Sequence, residues 1–308
     1  MDYGVVIVTY NRRELLKECL DCVRRQTLPF SVICVIDNHS TDGTAELLDD
    51  LAKTDPRLRV FHLEKNLGGA GGFSFGLKQI SDCGCHWVLI IDDDAMIEKN
   101  YMEALDSAVR SNRYLAYSGT VSTNGSVDRS HRRRLKNSCL MTYEPVPLKD
   151  YENASFEYDI STFCGLLIKA SLIKEIGLPR TDYFIWFDDT EYCLRFHRRS
   201  RILNVNAARL NHKTAPPGSG PVISWKHYYG FRNSIDIGKT YSSCPPVYLA
   251  YILANHTAHI LLDSLGILFR DQVSVRRYRR RIYMDVLKGL KQTPCGIDER
   301  YLPGSQPK

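Results

Sequence analysis

Trp87-Val88-Leu89-Ile90-Ile91-Asp92-Asp93-Asp94 decides the fold. Aliphatic residues in unbroken succession after a tryptophan predict a strand covered on both faces, as in a parallel sheet. The run stops on three carboxylates, which therefore sit at the strand's C-terminal edge, where open α/β sheets bind ligands. Adjacent carboxylates repel one another, so a cation is expected beside them, and hard oxygen ligands suit Mg2+ or Mn2+ bridging a diphosphate. The competing reading is an acidic turn that opens the next helix, since Asp is favoured at helix N-termini.

Upstream, the same punctuation recurs three times. Tyr3 to Val8 is an apolar run stopped by Thr9-Tyr10-Asn11, and Arg12 to Gln26 then carries helical spacing through Leu15, Leu16, Cys19, Leu20 and Val23. Ser31 to Ile36 ends in Asp37-Asn38-His39-Ser40-Thr41-Asp42-Gly43, followed by a helical Thr44 to Leu51. Leu58 to Leu63 predicts the third strand, and Asn66-Leu67-Gly68-Gly69-Ala70-Gly71-Gly72-Phe73 opens a helix running to about Cys83. Strand and helix alternating at this length imply a right-handed parallel βαβ sheet, with Thr9, Asp37, Asn66 and Asp92 along one rim. The glycine cluster follows the third strand rather than the first, so it is not a dinucleotide fingerprint; it is expected to let backbone approach a ligand closely.

The chain of 308 residues is 44% hydrophobic and 25% charged, enough for one large domain and an appendage. Its net charge of +6 is uneven, with Arg132, Arg133, Arg134 and Lys136 in one cluster and Arg276, Arg277, Arg279, Arg280 and Arg281 in another. Acidic partners are expected rather than nucleic acid, and the mid-chain arginines read as a solvated face or, alternatively, as contacts to an anionic or lipid-phosphate acceptor. Ten cysteines without a regular framework, in a chain whose start lacks a signal-peptide pattern, predict a reducing cytoplasm. Cys19-Leu20-Asp21-Cys22 and Cys83-Gly84-Cys85 lack partner pairs with zinc-knuckle spacing and read as structural thiols.

Val8-Thr9-Tyr10-Asn11, Val35-Ile36-Asp37-Asn38-His39-Ser40-Thr41-Asp42-Gly43-Thr44 and the Asp92 cluster together resemble the inverting family 2 glycosyltransferases. The resemblance implies the GT-A fold: an α/β, Rossmann-like, mostly parallel sheet flanked by helices. It also implies that Asp37 and Tyr10 meet uracil and that Asp92 and Asp94 serve ribose and a Mn2+ or Mg2+ ion. Thr9, Asn38, Asn66, Gly68, Gly69 and Asp93 complete the implied wall around a UDP-sugar donor.

Met102 to Val109 predicts a helix and Tyr114 to Val121 a strand, whereas Asn124 to Glu157 is polar, basic and unassigned. Ser161-Thr162-Phe163-Cys164-Gly165-Leu166-Leu167-Ile168 resembles the family segment beside the acceptor, which marks Gly165. Four aromatic residues then precede Asp188-Asp189 at the start of an amphipathic helix that includes Glu191 and Arg195. Asp is commonplace at an N-cap, but the resemblance makes Asp189 the general base, with Asp188 as its alternative. After a strand at Ile202 to Val205, the resemblance makes His212 a metal ligand. Trp186 and the Trp225 to Asn233 stretch offer rings for stacking on sugars, or an aromatic helix face buried in the core.

Val247 to Phe269 is apolar but broken by Asn255, His256, His259 and Asp263, so it fails as a membrane span. Followed by Arg270 to Arg281, it predicts either a basic amphipathic helix on the anionic inner leaflet or a packed helical subdomain. The expected organisation is thus a catalytic domain over 1–238 and a helical segment over 239–308. Within the family, the glycine cluster, Asp92-Asp93-Asp94-Ala95 and Trp186-Phe187-Asp188-Asp189 look most like galactofuranosyltransferases, with rhamnosyltransferases next. The implied acceptor is a glycan or polyprenyl-linked sugar of the cell surface, extended by one or a few residues. A nucleotidyltransferase would share the sheet and the acidic cluster, and a catalytically silent sugar-nucleotide-binding subunit the first half, but neither needs Asp189.

Overall fold

The computed structural model describes residues 1–111, 114–214, 223–292, 294 and 296–302. The first half runs β1 (Tyr3–Thr9), α1 (Arg13–Arg24), β2 (Val32–Asp37), α2 (Thr44–Thr54), β3 (Leu58–His62), α3 (Gly68–Ser81) and β4 (Trp87–Asp92). Then follow β5 (Ala95–Ile97), α4 (Tyr101–Ser111), β6 (Ala116–Thr123), β7 (Ser126–Val127), β8 (Arg132–Asn137), β9 (Thr142–Pro145), β10 (Ser155–Tyr158) and β11 (Ile160–Ser161). The remainder is β12 (Leu166–Lys169), α5 (Ala170–Ile176), α6 (Asp188–His197), β13 (Ile202–His212), α7 (Lys226–Tyr241), α8 (Pro245–Ser264) and α9 (Val273–Lys288).

The main sheet has the order β10-β13-β6-β12-β4-β1-β2-β3. It is mostly parallel along this path, β12 being antiparallel to both neighbours and β10 antiparallel to β13. Helices cover both faces. Val5, Ile7, Leu89 and Ile91 share a core with Leu16, Leu20 and Val23 of α1, Leu48 of α2 and Met102 and Leu105 of α4. The opposite face takes α3, whose glycines let it approach: a Cβ on Gly72 would lie 2.6 Å from Val8 Cγ1, and one on Gly76 2.4 Å from Val6 Cγ1. Much of the glycine cluster is therefore a packing device, whereas Gly69 faces open space.

The chain divides into two compact units. One comprises Met1–Arg134, Glu144–Arg180 and Asp189–Pro216; the other comprises Leu135–Tyr143, Thr181–Asp188 and Pro217–Lys308. The boundary expected at residue 238 falls inside α7. That helix packs on α8 and α9, with a Cβ on Gly238 excluded by the Tyr248 ring and Phe231 stacked on Tyr283 at 4.9 Å.

The solvated face expected over Arg132 to Arg134 is corrected at Arg132, which is wholly buried. Its guanidinium donates to the carbonyls of Gly119, His131 and Cys164 and to the side chains of Asn204 and Ser161. Five donors in a planar fork suit such a ring of neutral acceptors.

Candidate functional site

Parallel pairing aligns the ends of the first strands, Thr9 with Asp37 and Val8 with Asp92, so the rim exists where the apolar runs stop. Thr9 Oγ1 donates to Asp93 Oδ2 at 2.7 Å. Arg12 Nη1 bridges Asp93 at 3.1 Å and Asp94 at 2.6 Å. This arginine supplies part of the cation that three adjacent carboxylates demand, and its place in the first turn after β1 was the signal for it.

β13 runs parallel to β6 up to the same rim, and β5 pairs back on it with Ala95 opposite His212. His212 Nε2 thereby lies 3.0 Å from Asp94 Oδ1, while Lys213 N donates to Asp94 O. Asp92, Cys164 and His212 each present a ligand atom, all within 4.8 Å of one another, and His212 Nδ1 is buried without a hydrogen bond. This donor set fits a divalent cation, with the buried thiol of Cys164 as an unexpected member. The edge of His131 meets the His212 ring at 4.9 Å, and His131 in turn contacts Thr162 Oγ1. Neither Cys164 nor His131 stood out in the sequence, because each reaches the rim through strand pairing rather than local pattern.

The electrostatics match. Burial, then the charge of Asp94, raises the pKa of Asp92 well above the usual carboxylate range. Burial likewise pushes Asp93 up to about 6, although Arg12 and Thr9 oppose it. At Asp94 the burial effect is outweighed by the hydrogen bond and charge of His212 and by Arg12, so its pKa is lowered. His212 is correspondingly raised, Asp94 overcoming the cost of burial. Such a cluster gains from a cation that drives the last proton off.

The other expected donor residues divide in two. Asp37 accepts from Ser40 N at 2.9 Å and contacts His62 Nδ1 at 2.9 Å. Asn38 bridges Leu67 N and Gly68 O, and Asn66 Oδ1 accepts from Gly68 N at 2.7 Å. With Thr9 and Asp93, these side chains tie the rim loops together. Tyr10, 38% exposed, Gly69 and the partly exposed Asp92 face outward.

Asp189, partly exposed in the second turn-forming position of α6, accepts from Thr190 Oγ1 at 2.9 Å. Thr190 is itself met by Arg133 Nη2 at 3.0 Å. Gly165, at φ +83°, is buried where a Cβ would lie 2.5 Å from Leu210 Cδ2 and 2.6 Å from Tyr101 Oη, so its conformation answers to packing. In the second unit, Phe184, Trp186 and Phe187 all have positive φ, a strained run that leads directly into Asp188. Asn233, fully buried, holds it by donating to the carbonyls of Tyr183, Ile185 and Trp186. Strain sustained by such a clamp is characteristic of functional loops. Trp186 is 39% exposed and meets His227 edge-on, whereas Trp225 packs against Phe184 and Tyr229.

A family model, Glycosyl transferase family 2, matches residues 4–176, more than half of the chain. The chain belongs to this family. Among family relatives, glycosyltransferase GlyG of Streptococcus pneumoniae is 32% identical over 107 residues, 35% of each chain. Galactofuranosyltransferase GlfT1 of Mycolicibacterium smegmatis is 27% identical over 202 residues, 63% of each chain. The chain thus spans between about a third and two thirds of these relatives' lengths. Its fold is that of GalNAc-T7 solved with UDP, GalNAc and Mn2+, at a TM-score of 0.66 and 15% identity over 96% of this chain and 58% of that one. It is also that of S. aureus TarS 1-349 in complex with UDP, at 0.57 and 16% over 95% and 90%. The GT-A architecture implied by the rim motifs is the architecture observed.

Proposed function

We propose that this family 2 protein is an inverting, metal-dependent glycosyltransferase that moves a hexose from a UDP-sugar, galactofuranose from UDP-galactofuranose, to a glycan or polyprenyl-linked acceptor. The observation that carries the reading is the convergence of Asp92, Asp94 and His212 on the nucleotide-sized rim of a GT-A sheet. Mn2+ or Mg2+ held by these residues would neutralise charge on the departing diphosphate. Tyr10 and Gly69 would meet the nucleotide, and Arg12 pairs with Asp93 and Asp94 beside it. The donor sugar is supported by the likeness to GlfT1, and UDP by the nucleotide bound in the structural neighbours.

Inversion in one displacement requires a carboxylate to take the acceptor hydroxyl's proton opposite the leaving group. Asp92, Asp93 and Asp94 belong to the nucleotide side, so the role falls to Asp189, with Asp188 as its alternative. The Thr190 hydroxyl, donating to Asp189 Oδ1 at 2.9 Å, orients it. Trp186, 39% exposed, would offer its ring to a sugar. The enzyme would work at the cytoplasmic face of the plasma membrane.

The test is a panel of UDP-galactofuranose, UDP-galactopyranose and dTDP-rhamnose scored for transfer and hydrolysis. Asp189→Asn should lose about 10²- to 10⁴-fold in turnover while UDP affinity holds. Turnover with dTDP-rhamnose alone would make it a rhamnosyltransferase. Full activity in both Asp189→Asn and Asp188→Asn would end the single-displacement reading, whereas neither transfer nor hydrolysis with any donor of the panel would leave a nucleotidyltransferase or a silent sugar-nucleotide-binding subunit.

A further inference from the structure

The polarity of α8 is inverted. Its inward arc carries Tyr248, Ile252, His256 and Asp263. Asp263 pairs with Arg279 of α9 at 3.2 Å, and His256 meets the Phe231 and Tyr283 rings edge-on. The outward arc carries the exposed Val247, Tyr251, Leu253 and Leu261, and Leu265 one residue beyond the helix, 72% exposed. Ala250, Ala254 and Ala258 are exposed between them. At 100° per residue these positions sweep about 160° of a helix roughly 30 Å long. No lysine, arginine or glutamate lies between Pro245 and Ser264. His256 and Asp263 are thus turned inward, and the outward arc is uncharged, with Thr257 and Ser264 as its exposed polar residues.

Cations gather at one end of this surface. Arg280 Nη1 approaches Ser264 Oγ at 3.4 Å, and Arg276 packs against Gly266 while donating to Arg270 O at 3.0 Å. Arg270 and Arg277 are exposed nearby, with Asp271 the acid among them. The arc is wider than a two-helix seam and lacks the flanking charge pairs that set register between soluble helices. An uncharged arc bordered by arginines complements hydrocarbon beneath anionic headgroups.

We propose that α8 lies in the interfacial layer of an anionic bilayer, with its outward arc among the acyl chains and Arg270, Arg276, Arg277 and Arg280 against headgroup phosphates. This deepens the polyprenyl-linked acceptor reading, since such an acceptor is confined to the same layer, but it stands on the surface of α8. The test is flotation of the full chain with phosphatidylglycerol-containing vesicles and with phosphatidylcholine vesicles. Binding should require phosphatidylglycerol and weaken in high salt. Leu261→Gln/Leu265→Gln and Arg276→Gln/Arg280→Gln should each bind at least about 10-fold more weakly with unchanged far-UV circular dichroism, as expected for losing two buried leucines or two headgroup contacts. No flotation with either vesicle, or undiminished flotation of the leucine variant, would overturn the proposal. So would a dimeric wild type that the leucine variant makes monomeric without any vesicle binding, which would give the arc to a second copy. No nucleotide sugar enters the measurement, so its failure leaves the donor reading standing.

Discussion

Arg132→Met measures what a buried guanidinium contributes to the first unit. Arg132 is fully buried, and its bonds run to Gly119 O at 2.8 Å, Cys164 O at 3.0 Å, His131 O and Ser161 Oγ at 3.2 Å and Asn204 Oδ1 at 3.3 Å. Methionine restores most of the volume but takes a donor from three main-chain carbonyls, of which the His131 carbonyl keeps Thr162 N; each carbonyl left unpaired costs about 1–3 kcal/mol. Removing a buried charge returns part of that through desolvation, so a net loss of about 3–5 kcal/mol is expected. With an m-value of about 2–3 kcal/mol/M, the urea midpoint should fall by roughly 1–2 M. Trp87 is the tryptophan of the first unit, so its fluorescence in a Trp186→Phe/Trp225→Phe background reports this unit alone. Arg132→Lys should recover only a fraction, because a point charge cannot span the ring of acceptors. Stability of Arg132→Met within about 1 kcal/mol of the parent would show that desolvation cancels the bonds, and the argument would fail.

Other consequences can be checked singly. His212→Ala should weaken Mn2+ binding in calorimetry by at least about 10-fold, because the set of Asp92, Cys164 and His212 loses its nitrogen ligand; unchanged affinity would remove His212 from that set. Gly76→Ala should destabilise by about 1–3 kcal/mol, its Cβ falling 2.4 Å from Val6 Cγ1, whereas Gly69→Ala meets nothing and should be neutral or stabilising by helix propensity. Equal melting temperatures for the two variants would refute the packing account of α3. Burial against the Phe231 and Tyr283 rings, then the charge of His259, depresses His256 to about 4 despite its bond to Ile252 O. The unfolded state then binds the extra proton below about pH 6.5, so stability of the second unit should fall from there toward about pH 4 and level off below it. His256→Gln should flatten that slope in thermal melts, and an unchanged slope would assign it elsewhere.

The legible parts of this chain are those where local pattern and environment coincide. The runs of β1, β2 and β4 are apolar because both faces are covered, and the carboxylates that end β4 mark the rim without tertiary information. α3 and α6 begin where glycine and Asp188 announce them. The stretch from Asn124 to Glu157 gave no period because it folds as short strands and single 3-10 turns. Besides the neighbouring His131, Arg132 within it has partners from three other segments, around Gly119, Ser161 to Cys164 and Asn204, which no local window contains. β13 was expected to stop at Val205 but continues to His212 through an irregularity between Val205 and Arg209. Its polar Asn204 and Asn206 are buried and bonded to each other at 2.7 Å, so polarity signalled an internal network rather than a strand end.

The family resemblance marks His212 and the acidic stretch marks itself, but neither marks Cys164. Asp92, Asp93 and Asp94 occupy one stretch of chain, but their partners arrive by topology. Because β12 is antiparallel to β4, pairing Leu166 with Ile90, it begins at the rim where β4 ends, and the residue before Gly165 is thereby delivered beside Asp92. Because β13 is parallel to β6, it ends at that rim and delivers His212. Reversing either strand would carry its residue to the opposite edge of the sheet. The donor set of Asp92, Cys164 and His212 is thus a consequence of one antiparallel insertion in a parallel sheet, and strand direction, invisible to composition or spacing, is what creates it.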